Sequence, residues 1–250
     1  MTGGAGRLGA ELLPRLRAAG FAVNAPGVTE LDILDERALA AAFVAVQPDL
    51  TLHLAAYTNV SAAEAERAEC WRVNVVGTRN VARLAPGRLA HLSTDYVFDG
   101  QTGNYREDDP PNPVNYYALT KLVAEEAARA HPHALILRTS FKPSLWPHPV
   151  AFEDQFTSAD YVDVIAGQLA RAIIAFAAGR ISPGALHIAT ERKSVFELAR
   201  RRNPDVRPGS RLSVSTPIPP DVSLNTERWR SIRAALGGGQ DFVTGQEGEY

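Results

Sequence analysis

Tyr117 and Lys121 stand four residues apart in a stretch of helical periodicity over 115–130, which puts both side chains on one helix face, one turn apart. An ammonium beside a phenol favours the phenolate, lowering its pKa toward values useful for proton transfer near neutrality. Upstream, Ser93-Thr94-Asp95 closes an apolar run. Hydroxyls and a carboxylate at the end of a strand can align a substrate carbonyl, or simply form an Asx-type turn. Near the start, Gly3, Gly6 and Gly9 recur every three residues before a leucine-patterned segment. The first glycine permits a tight turn, the second lets the backbone approach a pyrophosphate, and the third lets a helix pack closely. The phosphate would then sit at the positive start of that helix. Taken singly, the glycines also read as an ordinary loop and Tyr117/Lys121 as a surface pair.

These groups need a frame that brings them together. Helical periodicity is read over 10–20, 35–47, 70–84 and 115–130, alternating with short apolar strands over 21–24, 50–55, 89–93 and 134–138. That alternation, with short connections, predicts an α/β fold with a doubly wound parallel sheet covered by helices on both faces. Such a sheet binds ligands at the carboxyl ends of its strands, where strand order reverses. After Ser140, Pro143, Pro147 and Pro149 break the pattern. A long amphipathic helix (159–178), a strand (185–188) and helices over 194–202 and 226–236 then predict a small α+β lobe. The expected division is 1–140 for the dinucleotide-binding domain, 141–236 for a substrate lobe interleaved with it, and a frayed glycine-rich tail over 237–250.

Composition narrows the class. Hydrophobic residues make up 45% and charged residues 22% of 250 residues, which suits a globular chain. A net charge of −2 argues against a general nucleic-acid or anionic-membrane binder. The single cysteine, Cys70, excludes an internal disulfide and a multi-thiolate metal site. No apolar run is long enough to span a bilayer and no signal peptide is readable, so a cytoplasmic location is expected. Only three of the 26 basic residues are lysines, Lys121, Lys142 and Lys193, so each lysine merits individual attention.

Taken together and in order, the motifs resemble the extended short-chain dehydrogenase/reductase family, and within it a subgroup acting on nucleotide-linked sugars. The supporting strings are 30–35, 54–60 with Glu64, 73–78, 93–100, 117–121, 138–140, 154–159 and 222–226, and Ser-Thr-Asp-Tyr-Val-Phe at 93–98 is the most specific. The resemblance implies a Rossmann-type reductase using NAD or NADP, with NADPH favoured, that passes hydride to a keto carbon of a nucleotide sugar. It makes Tyr117 the general acid, Lys121 the holder of the nicotinamide ribose, and Thr94 the hydrogen-bond partner of the reacting oxygen. Gly3, Gly6, Arg7, Leu8 and Gly9 would line the pyrophosphate, Asp32 and Ile33 the adenine, and Ala55, Ala56 and Tyr57 the middle of the cofactor. Asp95 and Phe141 would face the sugar, with Asn74 on the helix behind. A homodimer is a further expectation, and no metal is expected. Related readings are a nucleotide-sugar epimerase or dehydratase, and a cofactor-binding regulatory subunit without turnover.

Three departures accompany the resemblance. The family's first buried strand is missing before the glycine turn, so the expected natural start lies upstream of Met1. Only 141–153 intervenes before the Asp154-Gln155 string, and Phe141 replaces a sugar-contacting tryptophan that Trp146 could substitute. Asn24-Ala25-Pro26-Gly27, where an acid would select NAD and an arginine NADP, does neither. Elsewhere His131 and His133 are read as a solvated cap, Cys70 as a buried structural thiol, Trp71 and Trp229 as packing residues, and Arg200–Arg202 as a solvated helix end.

Overall fold

In the computed structural model, residues 1–237 are described; the tail expected over 237–250 therefore lies, apart from Gly237, outside the described residues. The first half runs α1 (Arg7–Ala18), α2 (Glu36–Val46), β1 (Leu50–His53), α3 (Arg67–Trp71), α4 (Thr78–Leu84), β2 (Arg88–Thr94), α5 (Tyr116–Arg129) and β3 (Ala134–Thr139). The second half runs β4 (Phe141–Lys142), β5 (Val150–Phe152), β6 (Phe156–Thr157), β7 (Asp160–Tyr161), α6 (Val162–Ala177), β8 (Gly184–His187), β9 (Lys193–Ser194), α7 (Val195–Arg200), β10 (Arg207–Gly209) and α8 (Glu227–Ala235).

Local chemistry explains the boundaries. Leu8, Leu12 and Leu16, four residues apart, form the buried stripe of α1. The Asp35 carboxylate accepts from the backbone N–H groups of Arg37 and Ala38 and starts α2, Asn115 accepts from Ala118 and starts α5, and Ser194 with Glu197 forms a capping box at α7. All six residues of β3 are buried, as a strand covered on both faces requires.

The main sheet has the order β1-β2-β3-β8, and every pairing in it is parallel. Helices α1 and α6 pack an apolar layer on one face, including Leu12, Leu135, Leu137, Ile165 and Phe176. Leu39, Val81, Leu89 and Ile136 form the layer on the other face, beneath α2, α4 and α5. Through the middle runs a buried polar clasp. Arg138 of β3 donates to both oxygens of Glu125 of α5, at 2.8–3.2 Å, and Ser93 of β2 donates to Glu125 at 2.5 Å. The second half adds three two-stranded pairings: β10-β5, β4-β7 and the antiparallel β6-β9.

Before the glycine turn, where the sequence lacks the family's first buried strand, Thr2 makes one parallel bridge to His53. Elsewhere the structure departs from the sequence pattern. Residues 21–24 are not a paired strand. A groove of about 680 Å³, lined by Leu16, Val23, Leu39, Phe43 and Leu52, separates them from β1, so their backbone has no strand to bond. The helix expected over 70–84 is interrupted by a π-helical turn at Arg72–Gly77. His131 is buried, with Nε2 3.3 Å from the Ala85 carbonyl, rather than solvated. Trp71 is 38% exposed, whereas Trp229 is buried and donates to Gln168. Arg201 pairs with Glu191 and Asp160, and Arg202 with Asp163, so this helix end is tied into the lobe. Cys70 is buried as expected, and burial raises its thiol pKa.

Candidate active site

The glycine turn owes its shape to two close approaches. Gly3 has φ +68°, and a Cβ there would stand 2.6 Å from the Ala55 nitrogen; a Cβ on Gly9 would run into the Gly4 carbonyl. The turn delivers Gly6 as the first residue before α1, whose start carries no side-chain cap. Its leading N–H groups therefore keep their capacity to bind an anion.

The chain steps outward from Thr2, whose neighbour Met1 donates its ammonium to the Asn24 carbonyl at 2.6 Å. From β1 onward the sheet continues to β2, β3 and β8. The glycine turn therefore sits at the carboxyl ends of β1, β2 and β3, the edge at which parallel α/β sheets bind ligands. A cavity of about 680 Å³ opens there.

That cavity collects most of the residues singled out from sequence. Gly3, Gly6, Arg7, Leu8 and Gly9 line it with Ala55 and Ala56, and so do Thr94, Asp95, Tyr117, Lys121 and Phe141. Three expected residues lie elsewhere. Ile33 is a core residue against Gly77, and Asp32 accepts from the Leu34 backbone at the surface. The Tyr57 hydroxyl turns away to Glu66, at 2.6 Å, while its backbone N–H is held by Asn74 at 2.8 Å. Trp146 does not stand in for the family's tryptophan at the cavity; it packs in the lobe with Ala151, Val195 and Phe196, and Phe141 lines the cavity.

The cavity also includes Gly27, Val28, Thr58, Tyr96, Ser140 and Lys142, none of which was singled out as a site residue. Their types carry no chemical pattern, although Lys142 stood out by its rarity.

The electrostatics differ from expectation at one point. Tyr117 was expected to be acidified by Lys121, yet its pKa is raised, first by burial and then by the negative charge of Asp95, with a hydrogen bond to Thr94 pulling the other way. Lys121 is instead engaged with the Leu92 carbonyl at 2.7 Å. Burial lowers its own pKa to about 8. Asp95 accepts from Thr94 at 3.1 Å and from Thr157 at 3.2 Å, and burial raises it to about 6. Burial and the Asp95 charge thus favour the protonated phenol of Tyr117, close to a hydroxyl and a carboxylate.

The described residues contain no cluster suited to a metal ion, and no helix among them is long and apolar enough to cross a membrane. A dinucleotide fits the residues present. The uncapped start of α1 beside Arg7 suits a pyrophosphate, and the absence of Cβ atoms in the glycine turn leaves space for it.

Comparison with known proteins agrees. The family described as "RmlD substrate binding domain" matches residues 1–142. The spore coat polysaccharide biosynthesis protein SpsK of Bacillus subtilis is 36% identical over 146 residues, 56% of this chain and 52% of that protein. The chain thus spans about half the length of that relative. A dTDP-4-dehydrorhamnose reductase of Mycolicibacterium smegmatis is 32% identical over 264 residues, 94% of this chain and 80% of that enzyme. Among solved structures, dTDP-4-dehydrorhamnose reductase from Bacillus anthracis in complex with NADP superimposes with a TM-score of 0.82 at 26% identity, covering 96% of this chain and 92% of that one. With more than half of the chain matched by one family and a relative aligned along nearly all of it, the protein belongs to the RmlD substrate-binding domain family.

Proposed function

We propose that the chain is an NAD(P)-dependent reductase of a keto sugar carried on a nucleotide. The observation that carries this reading is the convergence of Thr94, Tyr117 and Lys121 with the uncapped start of α1 on a single cavity. Relatives named dTDP-4-dehydrorhamnose reductase support the substrate class.

When bound, the nicotinamide supplies a hydride. Gly3, Gly6, Arg7, Leu8 and Gly9 would hold the pyrophosphate, Ala55 and Ala56 the middle of the cofactor, and Lys121 the ribose next to the nicotinamide. Tyr117 donates its phenolic proton to the sugar oxygen as negative charge develops there. Its raised pKa keeps that proton available across the neutral range. Thr94 hydrogen-bonds the same oxygen and fixes its direction relative to Tyr117. The dense packing around Ala118, Thr120 and Cys70 holds α5 so that Tyr117 and Lys121 face the cavity together.

The test is oxidation of NADH and NADPH by dTDP-4-dehydrorhamnose and other 4-keto nucleotide sugars. Tyr117→Phe is expected to lower kcat by about 10²–10⁴-fold with NADPH binding retained. A protein that binds neither nicotinamide nucleotide, or a Tyr117→Phe variant as active as wild type, overturns the reading. Binding of NADPH without reduction of any of these sugars favours the regulatory-subunit reading instead.

A further inference from the structure

Two of the chain's three lysines have partners of their own. Lys121 donates to the Leu92 carbonyl. Lys193 donates to the Thr190 hydroxyl and the Glu191 carbonyl, at 2.8 Å each, and faces Asp160 and Glu191 as counter-charges. Lys142 is held differently. It is half-buried on the cavity wall and makes no hydrogen bond or ion pair with a described residue. Asp95 is the charge that favours its ammonium, and desolvation opposes it. An ammonium carries three N–H donors, and withdrawing them from water without acceptors is costly.

Its place is set by backbone. Thr139 pairs with Thr94 at the carboxyl ends of β3 and β2, and β4, which follows at once, pairs with β7 in the register Lys142↔Tyr161. Counting across the sheet from Thr2, the end of β3 lies beyond the ends of β1 and β2. Lys142 is therefore on the side of Thr94 away from the glycine turn, where a sugar rather than the cofactor's pyrophosphate would lie. Asp95 beside it makes the pair neutral overall. A neutral pair suits a hydroxyl, whereas a carboxylate on the sugar would meet Asp95.

We propose that Lys142 is a specificity-determining residue of the sugar subsite, its ammonium donating to a free hydroxyl of the keto sugar. The assignment rests on the proposed reductase function and adds to it the kind of sugar accepted, one that keeps a hydroxyl near the keto carbon.

The experiment compares wild type, Lys142→Met and Lys142→Gln on dTDP-4-dehydrorhamnose and on its analogues lacking the 2- or the 3-hydroxyl. Lys142→Met is expected to lose about 10–100-fold in kcat/KM on the parent sugar, mainly through KM, with NADPH affinity unchanged. On one of the two deoxy analogues, wild type and Lys142→Met should become equal, because the acceptor is gone. Lys142→Gln, which keeps a donor, should recover part of the loss on the parent sugar alone. Unchanged NADPH affinity in both variants shows that they are folded. Equal losses on all three sugars, or no loss on any, overturn the assignment while leaving the reductase reading intact. A wild type that binds NADPH but reduces none of the three overturns the reductase reading, and the assignment with it.

Discussion

The cavity wall formed by the glycine turn and by Leu54–Ala56 just after β1 is largely backbone, whereas the wall formed by Thr94–Tyr96 and Ser140–Lys142 is made of side chains. On the first wall, Gly3 lies against Ala55, Gly9 against Gly4, and α1 presents uncapped N–H groups. On the second, Asp95 is held by Thr94 and Thr157, the Tyr96 hydroxyl accepts from Gln155 at 2.8 Å, and Lys142 stands beside them. A wall of backbone amides recognises what every dinucleotide shares, its phosphates. A wall of side chains can be rebuilt by exchange of single residues, so substrate choice belongs there. The Glu125–Arg138 clasp ties β2, α5 and β3 beneath the second wall.

Breaking that clasp should unseat the second wall. Glu125→Ala leaves Arg138 buried and unpaired, and is expected to cost about 3–5 kcal/mol of stability, read by denaturant unfolding. A loss below about 1 kcal/mol would mean that the second wall does not depend on this clasp.

Smaller changes should separate the walls. Gly9→Ala forces a Cβ against the Gly4 carbonyl, with an expected cost of about 1–3 kcal/mol. NADPH affinity should weaken roughly tenfold or more as the turn shifts. The KM ratio between sugar analogues should stay constant, and a changed ratio would show that the walls communicate.

Asp95→Asn tests the other wall through pH. Burial lifts the Asp95 carboxyl from 3.8 to about 6, so between those values the unfolded chain has released a proton that the folded chain keeps. Wild-type stability should therefore fall as pH rises through that window, by up to about 3 kcal/mol, relative to a flat Asp95→Asn. Parallel curves for the two proteins would place the Asp95 titration elsewhere. Smallest of all, Arg72→Ala removes an exposed pair with Glu69 that belongs to neither wall and should change stability by less than about 0.5 kcal/mol.

Most of the first wall, and the Tyr117/Lys121 pair on α5, are legible because their signals are local. Glycine spacing, the leucine stripe of α1 and the i, i+4 pairing of Tyr117 with Lys121 follow from backbone geometry within a few residues. Asp32, Ile33 and Tyr57 are linked to the cofactor by resemblance alone and do not line this cavity: Ile33 fills the space Gly77 leaves open, and the Tyr57 hydroxyl finds Glu66. Residues 21–24 have a strand's composition, but strands are made by neighbours, and the groove beside β1 leaves them without one.

The sequence alone therefore determined the alternating α/β pattern, the anion-ready start of α1 and the pairing of Tyr117 with Lys121, since each depends on contacts within a turn or two of chain. Only the tertiary structure decided that Asp95 rather than Lys121 dominates the charge felt by Tyr117 among its neighbours. It alone turned Trp146 away from the cavity and brought Lys142 to it. Electrostatics and desolvation depend on distances through space, and those distances are set by residues far apart in the chain.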